Sequence, residues 1–274
     1  MKTEIELKNL VREKYAEIAR NPSQAGCCDG SCSGVDYSFI GEEYEGKEGY
    51  VADADLGLGC GLPTEFAKIK PGDTVVDLGS GAGKDCFIAR AETGAGGKVI
   101  GVDFTPEMVE RARANANKMG FDNVTFFQGE IDQNPLQDNT ADVVVSNCVF
   151  NLIPDRKKAF AETYRIIKPG GHFSISDVVS MGAIPEALRE EAELYAGCVS
   201  GAAEKSEYLQ IIKNAGFKNI QIQKEKQVLI PDDVLDGLLS PEKRQLWEES
   251  KIGIFSMTFY AEKPSGACCG PECC

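Results

Sequence analysis

The stretch Asp77-Leu78-Gly79-Ser80-Gly81-Ala82-Gly83 decides the fold that we predict for this chain. It follows the short apolar run 74–78, which predicts a buried strand, and it precedes a helix expected over about 84–92. A glycine loop between a strand and a helix allows a nucleotide-type cofactor to approach the backbone closely. The alternative interpretation is a glycine-rich turn that only packs the helix onto the strand.

The pattern of acids and glycines favours a cofactor without a pyrophosphate. The dinucleotide motif G-x-G-x-x-G would place glycine at position 84, where this chain has lysine. Asp77 would repel a phosphate and would attract an ammonium group. Asp103 ends the second predicted strand about 20 residues beyond Gly83, where a carboxylate can bind a ribose diol. An ammonium group and a ribose together indicate S-adenosylmethionine.

Strands and helices alternate after the glycine loop. Strands are predicted at 74–78, 99–102, 124–127, 142–146 and 173–176, and helices at 84–92, 106–119 and 155–167. A helical stretch over about 185–215 precedes two last strands at 220–230 and 255–261. This order predicts an α/β fold with a Rossmann-like, doubly wound, mostly parallel sheet of seven strands and helices on both faces.

The chain before the alternating region has a different character. Leu7, Leu10, Val11, Tyr15 and Ile18 recur at helical spacing and predict an amphipathic helix. A loop rich in Gly, Ser, Asp and Cys follows it. We therefore divide the chain into an N-terminal cap or lid (1–62), a core domain (63–263) and a flexible cysteine-rich tail (264–274).

The charge balance excludes two classes of partner. Lys and Arg number 29 against 43 Asp and Glu, which gives a formal net charge of −14. Nucleic acid and anionic membranes both attract surplus cations. The sequence has neither an apolar run near the ~20 residues of a membrane helix nor a secretory signal at its start. We expect a cytoplasmic protein with no nucleic-acid and no membrane partner.

The cysteines indicate a site for a soft ion. The chain has 11 cysteines and one histidine, His172. In a reducing compartment cysteines are free thiols, either catalytic or bound to a soft ion. Cys60, Cys148 and Cys198 lie in separate segments that this fold can bring to the ligand crevice, and three thiolates there would suit a thiophilic ion. The alternative for each is a packed core thiol, which is our interpretation of Cys86.

The motifs around these residues resemble known families. The glycine loop with its second acid resembles the class I S-adenosylmethionine-dependent methyltransferases over roughly residues 65–262. Four stretches are similar to the arsenite methyltransferase family, as is the cysteine-rich tail: GCG at 59–61, DLGSGAGKDC at 77–86, SNCVFN at 146–151 and GCVSGA at 197–202. The resemblance spans nearly the whole chain. It implies methyl transfer from S-adenosylmethionine to arsenite, an arsenic-detoxifying activity.

The resemblance also implies a set of site residues. Cys60, Cys148 and Cys198 would bind trivalent arsenic, and a fourth, N-terminal cysteine would exchange with them; Cys27, Cys28 and Cys32 are available, and we favour Cys32. The implied cofactor-binding residues are Asp77, Gly79, Ser80, Gly81, Gly83, Asp103, Phe104, Thr105, Met108, Gly129, Glu130, Ile131 and Asn147. The implied partners are arsenite, methylated arsenicals and a thiol reductant, thioredoxin or glutathione.

The chemistry agrees with the composition. Arsenic held by sulfur keeps a lone pair that can attack a sulfonium methyl group without a general base, so no catalytic histidine is needed. Two alternatives stay open at this stage. One is a methyltransferase for a small organic acceptor, and the other is a protein that sequesters arsenic or metal without turnover. The tail cysteines could capture arsenite, serve as resolving thiols, join a zinc site or be dispensable.

Overall fold

The computed structural model describes residues 4–20, 44–184 and 201–266. Its central element is a sheet of eight strands: β1 (Thr74–Leu78), β2 (Lys98–Asp103), β3 (Val124–Gln128), β4 (Ala141–Asn147), β5 (Ile167–Met181), β6 (Ala203–Glu204), β7 (Lys218–Val228) and β8 (Gly253–Glu262). The strand order is β3-β2-β1-β4-β5-β8-β7, and the two-residue β6 pairs with β5.

Helices flank this sheet. The α-helices in the described ranges are α1 (Glu4–Arg20), α2 (Pro63–Phe66), α3 (Lys84–Thr93), α4 (Pro106–Met119), α5 (Arg156–Ile166), α6 (Lys205–Asn214), α7 (Asp232–Leu238) and α8 (Pro241–Ser250). Short 3-10 helices lie at Ala52–Ala54 and Phe150–Leu152. Within these ranges, no helix is long and apolar enough to cross a membrane.

The predicted α/β architecture is confirmed. β1 pairs in parallel with β2 on one side and with β4 on the other, so the strand order reverses at β1. Seven strands form the continuous path, and β8 is antiparallel to both β5 and β7. In open α/β sheets ligands bind outside the carboxyl ends of the strands where the order reverses. The topology therefore predicts a ligand site at the loops after β1 and β4.

The core occupies both faces of the sheet. Successive strand residues point to opposite faces, so Val75 belongs to one apolar layer and Val76 to the other. One layer contains Phe160 of α5 and Tyr208 of α6, whose rings meet edge to face at 5.5 Å. The opposite layer contains Phe87 of α3, together with side chains of α4. Burial on both faces explains why the central strands are continuous apolar runs.

The N-terminal helix packs on the core. Val11 is buried, and Tyr15 and Ile18 pack against the layer formed by α3 and α4. α1 also contacts α4 directly. The predicted amphipathic helix is thus confirmed, and its apolar side contacts the core domain.

Two local features differ from the sequence prediction. β5 begins at Ile167, directly after α5, and runs through Pro169, although the strand was predicted at 173–176. Two hydrogen bonds with Lys263, the residue after β8, hold this segment: Gly170 N donates to Lys263 O, and Lys263 N donates to Gly171 O, both at 2.9 Å. α8 was not predicted because it has no buried residue and therefore no apolar periodicity to detect.

Candidate active site

A cavity opens at the carboxyl ends of β1, β2 and β4, beside the reversal of strand order. Most of the predicted cofactor residues line it: Gly79, Ser80, Gly81, Asp103, Phe104, Gly129, Glu130, Ile131 and Asn147. Cys148 lines the same cavity. The glycine loop and one of the predicted arsenic ligands therefore share one space.

The backbone of the glycine loop is shaped for close contact. Gly79 has a φ of 78°, and a Cβ there would lie 2.4 Å from a methyl group of Val149. A Cβ at Gly81 would point into open space. Asp103 supports the loop, because its carboxylate accepts hydrogen bonds from Gly81 N at 2.9 Å and Thr105 N at 2.8 Å. Burial raises the pKa of Asp103. Its carboxylate oxygens retain lone pairs for a further hydroxyl.

Four predicted cofactor residues lie behind the cavity wall. Asp77 is buried and accepts a hydrogen bond from the Cys86 thiol, with 3.3 Å between sulfur and oxygen. Burial raises the pKa of Asp77. Gly83 and Thr105 are the N-cap residues of α3 and α4, and Met108 is buried inside α4. None of these four is among the residues that line the cavity in the described part of the chain. Their roles in cofactor binding stay predictions.

Asp85, in the first turn of α3, is a further acidic residue that lines the cavity. Its carboxylate accepts hydrogen bonds from the Tyr44 hydroxyl at 3.0 Å and from the Asn147 amide at 3.1 Å. Burial raises its pKa, although these hydrogen bonds lower it. Sequence reasoning missed Asp85 and Tyr44. The available signal was an acid in the first turn of the helix that follows the loop.

α1 covers part of the cavity. Lys8, Val11 and Tyr15 contribute to its lining. The Lys8 ammonium group lies 2.6 Å from the Glu130 carboxylate and 3.2 Å from that of Asp132. The hydrogen bond from Lys8 lowers the pKa of Glu130. An ion pair thus ties the predicted lid to the loop after β3.

The two described cysteines of the predicted arsenic set come together. The sulfurs of Cys60 and Cys148 and a carboxylate oxygen of Asp177 all lie within 4.8 Å of one another. All three residues are buried. Cys198 and Cys32 lie outside the described residues, as do Cys27 and Cys28.

Neighbouring strands position each sulfur. Cys148 follows β4 with a φ of 61°, and its N–H donates to Ser176 O of β5 at 2.7 Å. The N–H of Cys60 donates to the Asn147 side chain at 2.9 Å, and the Cys60 carbonyl accepts from the Ser256 hydroxyl of β8. Hydrogen bonds to β4, β5 and β8 therefore bring the two cysteines together.

Asp177 is a site residue that sequence reasoning missed. Its side chain is fully buried on β5 and accepts hydrogen bonds from the Tyr208 hydroxyl at 3.1 Å and from Val178 N at 3.0 Å. Burial raises the pKa of Asp177 to about 7, against the lowering effect of Arg156. No local motif marks this aspartate, because strand pairing alone places it beside Cys148.

Cys86 has the structural role that we predicted for it, and His172 also has structural contacts. Cys86 is a buried thiol bonded to Asp77. The His172 imidazole hydrogen-bonds the Ala67 carbonyl at 2.6 Å and packs on the Tyr260 ring at 5.1 Å. The single histidine therefore holds the segment after α2 against β8.

Comparisons with known proteins agree with this geometry. Residues 69–216 match the methyltransferase domain family. An arsenite methyltransferase of Halobacterium salinarum is 44% identical over 234 residues, which cover 79% of this chain and 59% of that protein. The arsenite methyltransferase of Mus musculus is 31% identical over 211 residues, 74% of this chain and 55% of that protein. This chain thus spans a little more than half the length of these curated relatives.

A solved structure gives the same result. CrArsM, an arsenic (III) S-adenosylmethionine methyltransferase from Chlamydomonas reinhardtii, is 30% identical and superposes with a TM-score of 0.66. The match covers 84% of this chain and 74% of that one. The family resemblance inferred from the cysteine motifs is confirmed. On both sequence and fold, the chain belongs to the arsenite methyltransferase family, within the wider family of methyltransferase domains.

Proposed function

We propose that the chain is an arsenite methyltransferase, which transfers methyl groups from S-adenosylmethionine to trivalent arsenic bound by cysteine thiolates. One observation carries the proposal: the sulfurs of Cys60 and Cys148 meet beside a cavity that the glycine loop and Asp103 also line. The similarity to curated arsenite methyltransferases and to CrArsM supports the same activity.

The residues of the cavity fit the cofactor. Gly81 lines the cavity, and no atom lies within 4 Å of a Cβ built there, so the backbone of the loop is open to a ligand. Asp103 would accept hydrogen bonds from the ribose hydroxyls, and the segment 129–131 would flank the adenine. Asp85 faces the cavity beside the loop, where an ammonium group would meet a carboxylate. When bound, S-adenosylmethionine supplies an electrophilic methyl group on its sulfonium.

The cysteines would hold the acceptor. Each thiol that binds replaces one hydroxyl of arsenous acid, which leaves as water with the thiol proton. Arsenic bound in this way keeps its lone pair, so the chain needs no side chain to remove a proton before attack. Holding the lone pair in line with the methyl carbon can lower the barrier by ~7–11 kcal/mol. Val11 and Tyr15 of α1 add an apolar cover that would keep water from this space.

The remaining parts of the reaction involve residues outside the described ranges. We propose Cys198 as the third arsenic ligand and Cys32 as the exchanging thiol. A cellular thiol reductant, thioredoxin or glutathione, would keep these thiols reduced, and the cytoplasm is the compartment that provides one.

The test is product analysis with the full-length protein. We expect methylated arsenicals and S-adenosylhomocysteine by mass spectrometry after incubation with arsenite, a thiol and S-adenosylmethionine. Cys60→Ser, Cys148→Ser and Cys198→Ser should each lower turnover by about 100-fold or more, because a misplaced acceptor loses attack geometry. Their affinity for S-adenosylmethionine should stay within a few-fold, and Cys86→Ala is the matched control that keeps turnover.

Two outcomes would contradict the proposal. Tight arsenite binding by the wild type without S-adenosylhomocysteine would indicate a sequestering protein. Turnover of an organic acceptor that all three serine variants retain would indicate a small-molecule methyltransferase.

A further inference from the structure

We propose that Cys60, Cys148 and Asp177 form a binding site for a thiophilic divalent cation such as Zn²⁺, which competes with arsenic for the two sulfurs. The inference goes beyond the proposed function, because cation binding involves no methyl transfer and needs no third cysteine. The Asp177 carboxylate has no role in the arsenic binding that we propose above.

The spacing of the three ligand atoms suits one small ion. They lie within 4.8 Å of one another. Zinc binds thiolate sulfur at about 2.3 Å and carboxylate oxygen at about 2.0–2.2 Å, so two ligand atoms of one tetrahedral zinc ion lie roughly 3.5–3.8 Å apart. Side-chain movements of about an ångström or less would therefore bring the three atoms onto one ion.

The donor set distinguishes a divalent cation from arsenic. The arsenic site that we propose uses three thiolates, which leaves no position for a carboxylate. Zinc accepts sulfur and oxygen ligands together, and three protein ligands leave its fourth position open. Here the open position would face the cavity, because Cys148 lines it.

The charge of the site favours a divalent ion. Two thiolates and one carboxylate would place three negative charges among buried residues, which is costly without compensation. Arg156 acts on Asp177 electrostatically, and its side chain is held by the carbonyls of Gly201 and Asn151. A divalent cation together with this guanidinium brings the sum of these charges to zero.

Hydrogen bonds from neighbouring groups already orient the ligands. The Tyr208 hydroxyl and Val178 N fix the Asp177 carboxylate, and Asn147 fixes the backbone of Cys60. Ligating carboxylates in metal sites are themselves hydrogen-bonded in this way, and removing such a partner costs about 10–100-fold in affinity. The Asp177 carboxylate is therefore oriented by hydrogen bonds in the way that a ligating carboxylate is.

The first experiment uses the full-length chain in a background that removes competing thiols. Serine replaces the cysteines outside the described residues: Cys27, Cys28, Cys32, Cys198, Cys268, Cys269, Cys273 and Cys274. In a titration with Co²⁺, the chain should bind one equivalent of the ion and show thiolate-to-cobalt charge-transfer absorption bands. Added Zn²⁺ should displace Co²⁺ and abolish these bands. Added in this background, Cys148→Ser should remove the bands, Asp177→Asn should weaken binding at least ~10-fold, and Cys86→Ala should change neither.

The second experiment leaves Asp177 in place and applies if Asp177→Asn fails to fold. In the same serine background, which removes Cys198 as an alternative ligand, Zn²⁺ should slow the alkylation of Cys148 by iodoacetamide, followed by peptide mass spectrometry. Less than one equivalent of Co²⁺, full affinity in a folded Asp177→Asn variant, or an unchanged alkylation rate would each overturn the proposal. These readouts involve no turnover, so their failure and a failure of arsenite methylation are distinguishable.

Discussion

The side-chain amide of Asn147 holds the backbone of Cys60. Asn147 Oδ1 accepts hydrogen bonds from Cys60 N at 2.9 Å and from Gly61 N at 3.2 Å, and its Nδ2 donates to Gly61 O at 2.8 Å. Asn147 also ends β4 and directly precedes Cys148. One residue thus fixes the segments that carry both sulfurs, so the relative position of the two thiols depends on it.

Replacing Asn147 with alanine should uncouple the two cysteines. The variant leaves the N–H groups of Cys60 and Gly61 without their acceptor. Each of these groups that water does not reach lowers the free energy of unfolding by about 1–3 kcal/mol. We expect lower stability in urea and a fall in arsenite turnover of about tenfold or more, because the acceptor is misplaced.

Asn123→Ala is the matched control for this variant. The Asn123 amide also holds a loop, since it donates to the carbonyls of Gly94 and Gly97, both at 3.0 Å, and neither carbonyl belongs to the segments that carry Cys60 and Cys148. It should lose stability and keep turnover. An equal loss of turnover in both variants would mean that stability alone is responsible.

Gly59→Ala should displace the Cys60 segment by steric conflict. The φ of Gly59 is 115°, and a Cβ there would lie 2.8 Å from the Asn147 amide nitrogen. We expect reduced arsenite affinity, measured by competition with a dithiol. Gly46→Ala is a control with similar backbone strain, since its φ is 85° but no atom lies within 4 Å of its Cβ. A comparable loss of affinity in that control would refute the steric explanation.

Asp85→Asn should weaken binding of S-adenosylmethionine. The carboxylate lines the cavity, and hydrogen bonds to ionised groups contribute about 1.5–3 kcal/mol, which corresponds to roughly tenfold or more in the dissociation constant. Isothermal titration calorimetry with the cofactor measures this change in the dissociation constant. If Asp85→Asn binds normally and Asp77→Asn does not, the ammonium group is recognised by Asp77, as the sequence motif predicted.

The ion pair between Lys8 and Glu130 should give a defined pH dependence of stability. Lys8 lowers the pKa of Glu130 below its usual 4.5. A lowered carboxylate pKa stabilises the fold fully above the unfolded pKa, and this contribution disappears as the pH falls through the folded pKa. Wild type should therefore exceed Glu130→Gln in stability by a constant amount from pH 7 to about pH 5, with the difference shrinking below about pH 4.

The expected size of that difference is modest. The Glu130 side chain is 39% exposed, so solvent screens the pair and at most ~1 kcal/mol is expected. Urea unfolding of both proteins across this pH range provides the measurement. A stability difference that grows on acidification has the wrong sign for this ion pair.

The sequence predicted those strands and helices whose bounds are set by residues close together along the chain. β1 and α4 have the predicted bounds, because an apolar run ends at a glycine loop in one and Pro106 follows a cap residue in the other. The loop and Asp103 were found by the same reasoning. The exposed α8 lacks periodicity, and the extended Pro169 segment depends on a partner strand far along the chain.

The amino-acid sequence alone determines the side-chain chemistry: the thiols of Cys60 and Cys148 and the glycine loop predicted a soft-ion site beside a cofactor site. Only the tertiary structure decided which acids join them. It placed Asp85 at the cavity and Asp77 behind it, and it brought Asp177 to the sulfurs. The physical reason is that hydrogen bonds between β4, β5 and β8 set these positions, and such long-range pairing leaves no local pattern.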